Sequence, residues 1–154
     1  MPTIASLWHS ERVVVAADNA PSVTGLTNDG YVVAWQNGTD GIVCQMYDAF
    51  GAAVGNPITI YPGYPGHPAA QPQVAGLTDG GFVVSWRYGY DVPASDYDVE
   101  WTRYNASGVQ IATGFGSATA DNEGQADIVG LSNGGFAISN TNFTSRNGDA
   151  HQIS

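Results

Sequence analysis

The sequence predicts an all-β fold built from three repeated units, and three observations carry the prediction. A Gly-Leu pair recurs at Leu26, Leu77 and Leu131, with spacings of 51 and 54 residues. Each pair runs into a tight turn reading TNDG, TDGG or SNGG. Such turns need positive φ and mark β-hairpins. No stretch shows a helical hydrophobic period, whereas β-branched and aromatic runs recur along the chain.

Within each unit the elements follow one order. A short first strand reads PSVTGL, PQVAGL or ADIVGL. After the turn comes a second strand, YVVAW, FVVSW or FAISN. Its nearly continuous apolar character suits a strand buried on both faces. A variable loop leads to a third strand, GIVCQMYD, YDVEWTRYN or DAHQIS. A second tight turn, AFG or ASG, opens a fourth strand, NPITIY or VQIATGF. The third unit stops at its third strand. Glu11–Asp18, ERVVVAAD, is expected to supply the missing fourth one. That would give twelve strands in one domain, with units of about 19–68, 69–122 and 123–154 plus 1–18, and no free sheet edge. Units of this length suit β-propeller blades. Three blades are too few for a ring, so six as a homodimer are expected. The alternative is a monomeric β-trefoil or β-prism.

Composition narrows the partners. Charged residues make up 12% of the chain, about half the usual share of roughly 25%. Four arginines oppose fourteen acids, with no lysine and a net charge of −10. Phosphate binding needs clustered cations, so nucleic acid and anionic membranes are excluded as partners. Cations, neutral sugars and basic proteins stay open. The lone Cys44 excludes an internal disulfide and reads as a small buried thiol. No apolar run approaches the ~18 residues needed to span a bilayer, so no membrane insertion is expected. The N-terminal residues lack the basic start and apolar stretch of a Sec-type signal.

The second unit, PQVAGLTDGGFVVSW followed by DYDVEWTRYNASGVQIATGF, resembles a repeat of large secreted bacterial proteins related to RTX toxins and adhesins. Those repeats read P-x-V-x-x-L-x-D-G-G-F-V-V-x-W, then a strand ending R-[FY]-[DN]-x-x-G. Arg103, Tyr104, Asn105 and Gly108 stand in that order here. Unit one departs with Met46 in place of the arginine, and unit three with Asn140 in place of the tryptophan. The resemblance spans about residues 20 to 154. It implies a propeller-like array, export without an N-terminal Sec signal, and a role secreted or at the cell surface. The calcium nonapeptide of RTX tails is absent.

Candidate site residues come in three groups. Trp35 and Trp86 either stack on sugar rings or pack between sheets. The loop after the second strand of unit two gathers Arg87, Tyr88, Tyr90 and Asp91. Aromatics flanked by polar groups are what a carbohydrate site uses, with rings on the apolar sugar face and polar groups on its hydroxyls. The connector YPGYPGHP offers Tyr61, Tyr64 and His67, which either line a pocket or cover a sheet end. No cofactor is expected. Calcium at Asp91, Asp96 and Asp98 is an alternative that fits no loop of defined spacing. The three histidines lack metal-ligand spacing, and no catalytic motif occurs. The expected function is a non-catalytic, carbohydrate-recognising or adhesive, lectin-like module with a glycan or cell-surface ligand. The alternatives are a structural repeat segment without a ligand, and an enzyme whose site forms at a dimer interface.

Overall fold

A computed structural model describes residues 19–38, 41–90, 96–117, 123–142 and 150–153, with no helix among them. Unit one is the antiparallel sheet β1 (Asn19–Gly25), β2 (Tyr31–Asn37), β3 (Gly41–Tyr47) and β4 (Ala53–Tyr61), in that order. Unit two repeats it as β5 (Ala69–Gly76), β6 (Phe82–Tyr90), β7 (Asp96–Tyr104) and β8 (Gln110–Ser117). Unit three holds β9 (Glu123–Gly130), β10 (Phe136–Asn142) and β11 (Ala150–Ile153), with β10 in the middle. The expected strand at Glu11–Asp18 lies outside the described residues.

The repetition reaches single hydrogen bonds. In the first turn of each unit, the amide of Leu26, Leu77 or Leu131 donates to the carbonyl of Gly30, Gly81 or Gly135 at 2.8–2.9 Å. The side chain of Asn28, Asp79 or Asn133 then accepts from that same glycine's amide at 2.9–3.0 Å. This Asx bond pre-forms the turn. The left-handed position is filled by Asp29, Gly80 or Gly134, with φ of 64°, 87° and 88°. In the second turn, the Oδ1 of Asp48 or Asn105 accepts two amides each. The first strands of units one and two also share a bulge, with Ala20 and Gln71 at equivalent positions and both at positive φ.

Strand alternation gives each sheet two apolar faces, and the units stack face to face. Val32, Ala34, Ile42, Cys44 and Met46 of unit one bury against Val74, Phe82, Val84, Trp86 and Tyr104 of unit two. On the other face of unit two, Ala75, Leu77, Val83 and Val99 bury against Ile128, Phe136 and Ile138 of unit three. The core is therefore two seams between units. The first strands lie side by side, with β5 packed against β1 on one flank and β9 on the other.

Glycine makes that approach possible. A Cβ on Gly76 would sit 2.3 Å from the carbonyl oxygen of Gly25, and one on Gly130 would sit 2.2 Å from that of Gly76. The glycine of the repeated Gly-Leu pair is thus the point where neighbouring first strands touch.

Candidate functional site

Most of the sequence-nominated aromatics gather at one place, at the sheet ends opposite the Gly-Leu turns. The connector after β4 folds back through a bridge between Tyr64 and His67. Its prolines and glycines hold an irregular path that carries both residues over the end of unit two. Tyr61 lies edge-on to Tyr64, with ring centroids 5.6 Å apart, and to Tyr88 at 5.4 Å. His67 stacks on Tyr88 at 5.9 Å and an interplanar angle of 5°. The Tyr61 hydroxyl donates to the His67 carbonyl at 3.1 Å, which ties the cluster to the connector. Burial first, then a side-chain bond to Tyr88, pushes the Tyr61 hydroxyl pKa upward. Tyr64 is the open ring, 54% exposed.

Two carboxylates border these rings. Tyr88 pairs with Asp98 across the β6–β7 ladder, and Trp86 pairs with Glu100. Alternation puts both acids on the Tyr88 face of unit two. Burial raises the Glu100 pKa, and the neighbouring Asp98 charge raises it further. Glu100 in turn acts on Tyr61. Ring faces beside carboxyl and phenol oxygens suit a ligand with one apolar face and a rim of hydroxyls. The sequence reading missed Glu100 because unit one carries Val43 at the matching position, paired with Trp35 as Glu100 is with Trp86. Its period-two relation to Tyr88 along the paired strands was the available signal.

The other nominated residues fall elsewhere. Trp86 is 3% exposed and packs in the seam between units one and two, so its ring offers no face to a sugar. Of the two readings open from the sequence, packing between sheets describes its place. Trp35 is half-buried on the opposite face of unit one from Tyr61, since Val32 and Ala34, not Trp35, face unit two. Arg87 is engaged within the protein. Its Nε donates to the Glu123 carbonyl at 3.0 Å, and its guanidinium lies 3.7 Å from the Tyr97 ring centroid. It ties unit two to unit three. The side chain of Tyr90 and all of Asp91 lie outside the described residues, as does the side chain of Asp96. Of the calcium trio only the side chain of Asp98 is described. Among the described residues no three acids, histidines or cysteines gather as metal ligands.

A concavity of about 440 Å³ lies where the first turns converge. Gly25, Leu26 and Thr27 line it with Gly76, Leu77 and Thr78 and with Gly130, Leu131 and Ser132. Equivalent positions of all three units meet there, without a charged side chain. No family model, curated protein or solved structure matches the chain.

Proposed function

We propose that the chain is a non-catalytic carbohydrate-binding module, secreted or held at the cell surface, whose three units are β-propeller blades completed to six by a second copy. The ring cluster of Tyr61, Tyr64, Tyr88 and His67 beside Asp98 and Glu100 carries the binding role. Tyr64 supplies an open stacking face, and the acids supply acceptors for sugar hydroxyls. Net charge −10 without lysine agrees with a neutral ligand and opposes a polyanionic one. The repeat's resemblance to secreted RTX-related proteins supports the extracellular setting and an adhesive role. Side-by-side first strands with sheets stacked face to face support blades.

A glycan array followed by titration calorimetry tests the role. At least one neutral oligosaccharide should bind. Tyr64→Ala should weaken it at least tenfold, about 1.4 kcal/mol, without altering the circular dichroism spectrum, because so exposed a ring contributes little to the fold. Absence of any glycan bound by the wild type, or full affinity in the Tyr64→Ala variant, would remove this function.

A further inference from the structure

Each internal seam joins a front face to a rear face, and among the described residues unit one exposes part of a front face and unit three part of a rear face. Val74 on the front of unit two is 6% exposed, and its counterpart Ile128 on unit three 9%, because each is covered by the preceding unit. Their counterpart in unit one, Val23, is 66% exposed. The aromatic pair behaves alike. Phe82 stacks on Tyr104 at 5.0 Å and 17°, and Tyr31 stacks on Tyr47 at 5.0 Å and 14°. The first pair is buried in a seam and the second only half-buried, although Val33 beside it is already covered. On the rear faces, Ala75 is 5% exposed beneath unit three, whereas its counterpart Val129 is 56% exposed.

The backbone carries the same asymmetry. Gly76 meets the Gly25 carbonyl and Gly130 meets the Gly76 carbonyl, yet a Cβ on Gly25 would meet nothing within 4 Å. Three units closed on themselves would place the Gly130 carbonyl against Gly25. The contact is made twice within the chain, and its third instance has a glycine at one end and a carbonyl at the other. Side-chain oxygens of unit one also bond across the first seam. Ser22 Oγ accepts from the Val74 amide, and Thr24 Oγ1 accepts from the Gly76 amide, both at 3.1 Å. Asp127 is the unit-three counterpart of Ser22 and is exposed.

We propose that these faces are the two halves of one interface with a second copy of this chain. Val23, Gly25 and the Tyr31–Tyr47 stack of one copy pack on Val129, Asp127 and the Gly130 carbonyl of the other. The contact forms twice per dimer, about a two-fold axis. A head-to-tail contact closes only if its rotation completes the circle. Two three-unit arcs give six units, within the roughly four to eight that propellers use. The seam presupposes that the units are blades of a two-chain ring, and it does not depend on the glycan site, which lies within one chain.

Sedimentation velocity on the full chain tests it. The wild type should sediment at twice the 16.1 kDa chain mass. Gly25→Ala adds one methyl where the chain itself leaves space, so it should keep the native circular dichroism spectrum and raise the dimer dissociation constant at least tenfold. Val129→Asp, at the other end, should do the same, while Ile111→Asp on the outer strand β8 should stay dimeric. If the wild type is a monomer, the two-chain ring itself is wrong. If it is a dimer that both seam variants leave intact, the ring survives and the seam assignment falls. Should Val129→Asp fail to fold, Gly25→Ala alone decides.

Discussion

Cys44 shows how far one side chain's chemistry is set by its place in the fold. The thiol lies in the first seam, fully covered, between Ile42 and Met46 on β3. Burial alone pushes its pKa up to about 12. At pH 8 the reactive thiolate should then be rarer than for an open cysteine by on the order of a thousandfold. The prediction is that a maleimide or aromatic disulfide reagent leaves the folded protein unlabelled for hours and labels it fully in denaturant. Rapid labelling of the native protein would mean that the first seam opens. The sequence alone indicated a buried thiol, because Cys44 sits in an unbroken apolar strand. Trp86 was harder to assign. An aromatic at a strand's end reads equally as platform or packing until the facing sheet is known, and the facing sheet is a long-range fact.

At the scale of strands and turns, the repeat was legible because local chemistry repeats with it. Gly, Asn and Asp at fixed offsets specify the turns, and the first-turn hydrogen bonds are the same in each unit. What the local pattern could not convey is how strands of different units meet. Arg103 illustrates this. Its Nη2 reaches the Asp79 carboxylate at 2.8 Å and the Gly134 carbonyl at 3.2 Å, clipping unit two to the turn of unit three. Met46 replaces it in unit one and is buried in the first seam instead. The glycine before each repeated leucine reads in the sequence only as part of the first strand, and in the fold it is also the contact between first strands. Gly76→Ala should therefore force β1 and β5 apart. Overpacking against backbone that cannot yield costs about 1–3 kcal/mol, and Gly76→Ala should lie at the upper end, measured by urea unfolding. A Gly76→Ala protein as stable as wild type would show that the first strands do not pack this closely.

For the whole molecule, the governing facts are a net charge of −10 and seams that carry few charges of their own. Two carboxylates pull the pH dependence of stability in opposite directions. Asp79 accepts from the Gly81 amide and from Arg103, and its pKa is lowered in the fold. Its contribution is present above the unfolded value and fades as pH falls through the folded one. Glu100 is the reverse. Burial, then Asp98, raises its folded pKa, so the native state holds the proton more tightly than the unfolded chain does. That contribution is complete below the unfolded pKa of about 4.3 and is lost as pH rises through the folded value. Glu100→Gln keeps the shape and removes the charge. At neutral pH the variant should melt at a higher temperature than wild type, and the gap should narrow as pH falls towards 4. Self-repulsion among the remaining acids affects both proteins alike, so the difference between the two curves isolates position 100. A gap that stays constant with pH, or a Glu100→Gln protein that melts lower at neutrality, would mean that Glu100 is solvated or paired. The acidic rim beside Tyr61 and Tyr88 would then be open to water in the unliganded protein.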